Sequence, residues 1–231
     1  IMNILALDTC SECCSAALFF DGRLYEVSEL TKRGHSELIL GMMDVLFEQA
    51  NTTINSVGVV AFGRGPGSFT GVRVGVSVAQ GIAFARDIPV IPISSLAAIA
   101  QQGIKLVDIE RFAVAIDARM GEIYCAHYKR VEKVAVLLGE ERVCSPDSFL
   151  PMDEKKSVGM GTGWRTYATE LSQQFSAQLT DIKPEFYPMA SGIVELAQVE
   201  IAAGRLLPAE DALPVYLRDN VAKKKVEQAH G

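Results

Sequence analysis

Two stretches decide how this chain folds: LALDTCSECCSAAL at Leu5–Leu18, and VAIDARMGEIYCAHY at Val114–Tyr128. Each is an apolar run ending in an aspartate, Asp8 or Asp117. Each then crosses a short polar turn and returns as a second apolar run. Short apolar runs bounded by turn residues read as buried strands. Asp21-Gly22 is a hairpin signal, so Arg23–Leu30 extends the first pair to a three-stranded antiparallel meander.

The correspondence continues downstream. Ser56-Val57-Gly58 opens a strand to Phe62 and a glycine-rich loop over Gly63–Gly71. Ser157-Val158-Gly159 opens a shorter strand and the loop Gly159-Met160-Gly161-Thr162-Gly163. A repeat of strand, aspartate, returning strand and later strand with a glycine loop is internal duplication. The expected fold is therefore α/β, with two related halves, each a mixed sheet flanked by helices. The division falls at residues 1–106 and 107–231, with the final tail packing back on the first half. No Pro/Gly/Ser-rich linker separates the halves, so they should pack closely.

Helices are expected over Ser36–Asn51, with Ser36 as N-cap, and over Thr70–Arg86. Others follow: one capped by Ser94 or Ser95 and running to Gly103, then Thr166–Ser176 and Ala190–Gly204. Glu210–Arg218 contains Pro214 and reads as loop and short extended chain. The first two helices carry more apolar residues than the ~100° stripe that a helix over a sheet needs. The surplus must be covered by this chain or by a partner. Leu38, Met42 and Val45 of the first helix are assigned to a partner surface, with Val72, Val76, Ala79 and Ala83 of the second. Gly71, Gly75 and Gly81 would permit close helix approach.

The length of 231 residues is enough for a sizeable core, which by size scaling buries roughly 70% of the unfolded surface. There are 22 basic and 28 acidic residues, a net charge of −6, which argues against a protein whose main task is gripping nucleic-acid phosphates. Lys223-Lys224-Lys225 is a local basic run, read as a solvated tail or a docking element. No apolar stretch approaches the ~20 residues of a membrane span, and the first residues show neither a basic n-region nor a long apolar h-region, so no signal peptide is expected. Five cysteines, an odd number, fit free thiols in a reducing cytoplasm.

Several residues could carry chemistry. An aspartate at a strand end either holds a metal or its water beside a phosphate, or accepts turn amides. The glycine loop either offers amides to an anion or makes a tight strand-to-helix turn. It is neither a P-loop nor a dinucleotide fingerprint: no Lys-Ser/Thr follows Gly71, and Thr70 stands where a third glycine would be needed. If ATP or ADP enters the groove, Asp8, Thr9, Gly65, Gly67, Ser68 and Asp117 are the residues expected to meet it. Cys10, Cys13 and Cys14 lack a second ligand pair for zinc, so no metal site is assigned. Cys125 and His127 share a strand face, which suggests a thiol–imidazole pair or plain packing. Trp164 either stacks on a base or packs at the seam.

The duplicated strand–aspartate–hairpin resembles the fold of sugar kinases, actin and heat-shock ATPases. More closely, AFGRGPGSFTGVRVGVSVAQGIA at 61–83 followed by ISSL resembles the TsaB (YeaZ) family. ILALDTCSECCSAAL at 4–18, AIDARMGEIY at 115–124 and PVYLRDNVAKK at 214–224 are similar to that family too. The resemblance implies an actin-like fold and a role in making threonylcarbamoyladenosine in tRNA. It also implies a partner without transfer activity of its own, working with the transferase TsaD and the ATPase TsaE. A homodimer is expected when TsaD is absent, and contact with tRNA is indirect. TsaD-like enzymes have a His-x-x-x-His metal pair on the helix that here reads Ser94-Ser95-Leu96-Ala97-Ala98-Ile99-Ala100, without histidine. Asp8 is followed by Thr9-Cys10 rather than the Gly-Thr/Ser of working kinases, so no catalytic residues are assigned and no cofactor is required. The alternatives are an ATPase or small-molecule kinase dependent on Asp8 and Asp117, and a peptidase, whose zinc motif and triad signature are missing.

Overall fold

The computed structural model describes residues 2–31 and 34–218. The basic run at 223–225 lies outside the described residues. Strand β1 (Ile4–Asp8) is central to a sheet of order β3-β2-β1-β4-β5, with β2 (Cys13–Phe20), β3 (Arg23–Leu30), β4 (Val59–Gly63) and β5 (Val90–Ile93). It runs antiparallel to β2 and parallel to β4. All five of its residues are buried, which is why Ile4–Leu7 run apolar without alternation before Asp8. A second sheet of order β10-β9-β6-β7-β8 contains β6 (Arg111–Arg119), β7 (Glu122–Val131), β8 (Val134–Cys144), β9 (Ser157–Met160) and β10 (Leu179–Lys183). Here β6 is antiparallel to β7 and parallel to β9. The two sheets trace the same path, as the repeat requires.

Neither β8 nor β10 is legible in the sequence. Both are edge strands and both are largely accessible, so no strict alternation marks them. In β8 the pairing register with β7 also shifts around Ala126.

Helices α1 (His35–Gln49) and α2 (Phe69–Arg86) cover one face of the first sheet. Ile39, Met43, Leu46 and Val72 pack there on Leu5, Leu7, Val60 and Phe62. The cap of α1 is Gly34, at φ 81°, and not Ser36. Ser68 caps α2 by accepting the Gly71 N–H, and Ser94 caps α3 (Ser95–Leu106) by accepting the Leu96 and Ala97 amides. On the opposite face of the first sheet lies α6 (Ala190–Ala202), through Ile193, Val194 and Ala197. Helix α3 packs Leu96, Ile99 and Ala100 on Phe112, Val114 and Met160 of the second sheet. Helices α4 (Thr162–Thr166) and α5 (Ala168–Gln174) cover that sheet's other face.

The halves thus exchange helices. The helix that follows the first sheet lies on the second, and the helix that follows the second lies on the first. They meet where Gly192 of α6 faces the Ala98 carbonyl, which an added Cβ would approach to 2.9 Å. The described end of the chain also returns to the first half: Ala209 and Ala212 join its core, and Gln80 donates to the Ala209 carbonyl. A further tie is the ion pair Arg64–Glu141 at 2.9 Å, from the glycine loop to β8. Tyr128 OH donates to the other Glu141 oxygen at 3.0 Å. Glu141 is almost wholly buried, so Arg64→Ala leaves a buried charge with one partner fewer. The expected loss is about 2 kcal/mol in urea unfolding, below that for a fully buried pair because Arg64 is partly exposed.

Candidate functional site

The Asp8 turn and the glycine loop lie against each other and are joined by hydrogen bonds. Ser68 N–H donates to the Cys10 carbonyl at 2.7 Å, and Thr9 Oγ1 donates to the Gly71 carbonyl at 2.6 Å. Arg64 N–H donates to Ile93 O, and Gly65 O accepts from Ser95 N–H. The glycines allow this approach. A Cβ at Gly67 would come within 2.2 Å of Cys10 O, and one at Gly71 within 2.0 Å of Thr9 O. Close backbone packing is therefore what the loop does; it is not an open anion cradle.

Asp8 is completely buried. Its Oδ1 accepts the Cys10 N–H at 2.9 Å, while Oδ2 has no partner and faces Gly63. Burial pushes its carboxyl up to about 7. Burial, and then the Asp8 charge, push the Cys10 thiol well above its ordinary value. Asp8 and Thr9, expected as nucleotide contacts, are sealed inside the chain. Gly65 is buried against Val72 and the Val215 carbonyl, and Gly67 is spent on Cys10. Those four assignments are corrected by burial and close packing: Asp8 and Thr9 lie inside the chain, and Gly65 and Gly67 are covered by neighbouring segments of it. Ser68 is exposed, with its hydroxyl serving the α2 cap.

Asp117 differs. Its carboxylate accepts the Arg119 N–H at 2.8 Å and the Arg119 guanidinium at 3.1 Å. Thr166 and Tyr167 hydroxyls stand at 3.4 and 3.5 Å. Around it the groove is spanned by ion pairs. Glu12 bridges Arg119 at 3.7 Å and Arg165 at 3.4 Å, and Arg165 also pairs with Glu185 at 3.0 Å. The charges that could attract a phosphate already have carboxylate partners. Sequence reading missed Glu12, Arg165 and Glu185, because only the fold brings these separate turns together. Among the described residues, no three His, Cys, Asp or Glu side chains converge to hold a metal ion.

Two further readings resolve. Trp164 is buried, donates its indole N–H to Ala113 O at 2.8 Å and lies on Gly159, so it packs and does not offer a face to a base. His127 bonds the Leu150 carbonyl at 3.0 Å and stacks on Phe149, while Cys125 faces Cys144 instead. Burial lowers His127 to about 4, leaving it neutral near pH 7.

The wide apolar arcs of α1 and α2 also divide. Met42, Val72, Val76, Ala79 and Ala83 face the chain's own sheet. They are core and not interface, because the first sheet needs both helices' apolar stripes to cover it. Val45 remains exposed and Leu38 half-buried. On α2 the outward stripe is Thr70, Val74, Ser77, Val78, Gly81 and Ala85, all exposed or half-buried. Gly41 of α1 and Gly81 of α2 have nothing within 4 Å of where a Cβ would stand. A shallow groove of about 460 Å³ runs between the helices, lined by Ser36, Phe69, Arg73, Val74 and Val78 among others. At its edge Arg73 lies 3.4 Å from the centre of the exposed Phe69 ring, with Tyr216 beside it.

A duplicated two-sheet chain with an aspartate late in each leading strand defines a two-halved α/β protein of the actin-like fold. Residues 27–226 match the model of the TsaD family, described as tRNA N6-adenosine threonylcarbamoyltransferase. The chain is 41% identical to the Haemophilus influenzae tRNA threonylcarbamoyladenosine biosynthesis protein TsaB, over 97% of each chain. It is 39% identical to the Escherichia coli protein of that name, over 97% of this chain and 98% of the relative. The Pseudomonas aeruginosa YeaZ structure superposes with a TM-score of 0.88 at 39% identity, covering 94% of this chain and all of the other. The chain belongs to the TsaB family of tRNA threonylcarbamoyladenosine biosynthesis proteins, relatives of TsaD. No helix among the described residues is long and apolar enough to cross a membrane.

Proposed function

We propose that this chain is a cytoplasmic, non-catalytic subunit that binds TsaD through the outer faces of α1 and α2. It holds the transferase in its active arrangement for tRNA threonylcarbamoylation, together with the ATPase TsaE. It pairs with itself through the same faces when TsaD is absent. The observation that carries this reading is Gly81. A glycine inside an exposed helix costs about 1 kcal/mol relative to alanine. Gly67 and Gly71 let this chain's own backbone segments approach each other, whereas Gly81 faces open space. A helix from a partner, brought close over Ser77, Gly81 and Ala85, supplies the missing reason. The sealed Asp8 supports the absence of phosphoryl chemistry in this chain.

The test is light-scattering mass on a sizing column, for the chain alone and mixed with the TsaD of the same organism. A homodimer replaced by a one-to-one complex is the expected result. A monomer that ignores TsaD would sink the reading. The variants follow from the geometry. Gly81→Ala stabilises the lone chain by about 0.5–1 kcal/mol. Gly81→Gln and Val45→Glu leave folding intact and weaken both complexes at least tenfold, read by titration calorimetry. Unchanged affinity in both variants would remove this face from consideration. Val76→Glu and Ala79→Glu are unsuitable, since both positions are core.

A further inference from the structure

One pair of side chains has no part in the docking face or the groove. Cys144 stands opposite Ile123 in the β7–β8 ladder, and Cys125 lies two residues further along the same face of β7. Their sulfurs are 3.5 Å apart. Cys125 is buried against Phe149, Trp164 and Phe175, whereas Cys144 is half-buried and reachable from solvent. The other three thiols face elsewhere: Cys10 toward Gly63 O, Cys13 toward the Met189 sulfur, and Cys14 toward His35 O. We propose that Cys125 and Cys144 are a covalent modification site, a dithiol that hydroperoxides convert to a disulfide, with Cys144 as the attacking and Cys125 as the resolving sulfur.

The chemistry balances. The Cys144 thiolate attacks one oxygen of the hydroperoxide, the O–O bond breaks, and the other oxygen leaves as an alcohol, or as water from hydrogen peroxide. Cys144 is then a sulfenic acid. The Cys125 sulfur attacks the Cys144 sulfur, the S–S bond forms, the S–O bond breaks, and the oxygen departs with the Cys125 proton as water. Two thiols give up two electrons and two hydrogens, and the hydroperoxide accepts them. The roles follow from position, since the reachable sulfur meets the oxidant and the buried one waits behind it. The Cys125 hydrogen bond, and then the Arg142 charge, bring the Cys144 thiol down to about 7, while its partner is pushed upward. Burial holds Cys13 and Cys14 up near 12. Bridging requires the sulfurs to close from 3.5 Å to about 2.05 Å. β8 is the element that can yield, being an edge strand with a register shift beside Cys125.

The experiment is hydrogen peroxide treatment of the full chain, followed by intact mass and peptide mapping. The expected result is a loss of about 2 Da, a Cys125–Cys144 linked peptide, and full reversal by a dithiol reductant. Cys144→Ser abolishes the loss. Cys125→Ser leaves a sulfenic acid at Cys144 that a 1,3-dione captures. Five alkylatable thiols after treatment, or a bridge through Cys10, Cys13 or Cys14, would overturn the proposal. The mapping is done on the unaltered protein, so a variant that fails to fold does not blunt the test.

Discussion

Asp8→Asn is expected to abolish a loss of stability that the unaltered chain suffers as pH rises. The carboxyl is raised from 3.8 to about 7 because it is buried without a partner on Oδ2. The sign follows from proton counts. Below pH 3.8 both folded and unfolded chains hold the Asp8 proton and the group is silent. Between 3.8 and 7 the unfolded chain has released it and the folded chain has not, so unfolding is favoured by about 1.4 kcal/mol per pH unit. Above 7 the cost is complete. Asparagine keeps an oxygen for the Cys10 amide and does not titrate. Urea unfolding at about pH 5 and pH 8 should therefore show the variant gaining about 3 kcal/mol on the unaltered chain between the two. Comparing the pair cancels His127, whose lowered value acts in the opposite direction. A gap that does not change with pH would mean that Oδ2 has a partner in solution. The same variant separates the functional readings. An ATPase or kinase needs an ionised aspartate here, so Asp8→Asn would abolish its phosphate release. A docking subunit does not, and the variant should activate TsaD normally.

The duplication was legible because it is written in buried β1 and β6, whose residues are constrained on both sides of a sheet. The aspartates Asp8 and Asp117 were legible as a pair but not as opposites. Asp8 is sealed beneath Gly63 of the glycine loop, and Asp117 is paired with Arg119 and bordered by the Thr166 and Tyr167 hydroxyls. Nothing local distinguishes them, since the difference is made by which loop closes over each. The apolar arcs of α1 and α2 are wider than one stripe, and Leu38, Phe47, Val74, Val78 and Ile82 at their margins also pack against the first half's core. Of the residues assigned to the outer surface, Met42, Val72, Val76, Ala79 and Ala83 are core while Val45 is exposed and Leu38 half-buried, because a helical wheel gives angles without saying where the sheet lies. Gly41 and Gly81 carried the better signal. A glycine inside a helix needs a reason, and the structure shows that neither has one in its own chain.

Gly71→Ala tests that logic from the other side, with an effect opposite in sign to Gly81→Ala in the same helix. At Gly71 the new methyl would stand 2.0 Å from the Thr9 carbonyl oxygen. The neighbour is backbone, held where it is by β1, so no side chain can swing away to relieve the contact. The loops must separate by more than 1 Å, which also stretches the bond from Thr9 Oγ1 to the Gly71 carbonyl, 2.6 Å in the native chain. Overpacking of this kind costs about 3 kcal/mol, against a propensity gain of at most about 1 kcal/mol. The expected outcome in urea unfolding is a net loss of about 2–3 kcal/mol, where Gly81→Ala gives a gain. Binding supplies the second half of the contrast. At a temperature where Gly71→Ala remains folded, its affinity for TsaD should be close to native, because Gly71 is buried beneath the docking face and is not on it. Unchanged stability at Gly71 would mean that the glycine loop stands off from the Asp8 turn in solution, leaving its amides free for an anion. The groove, and not the helices, would then be the place to look for function.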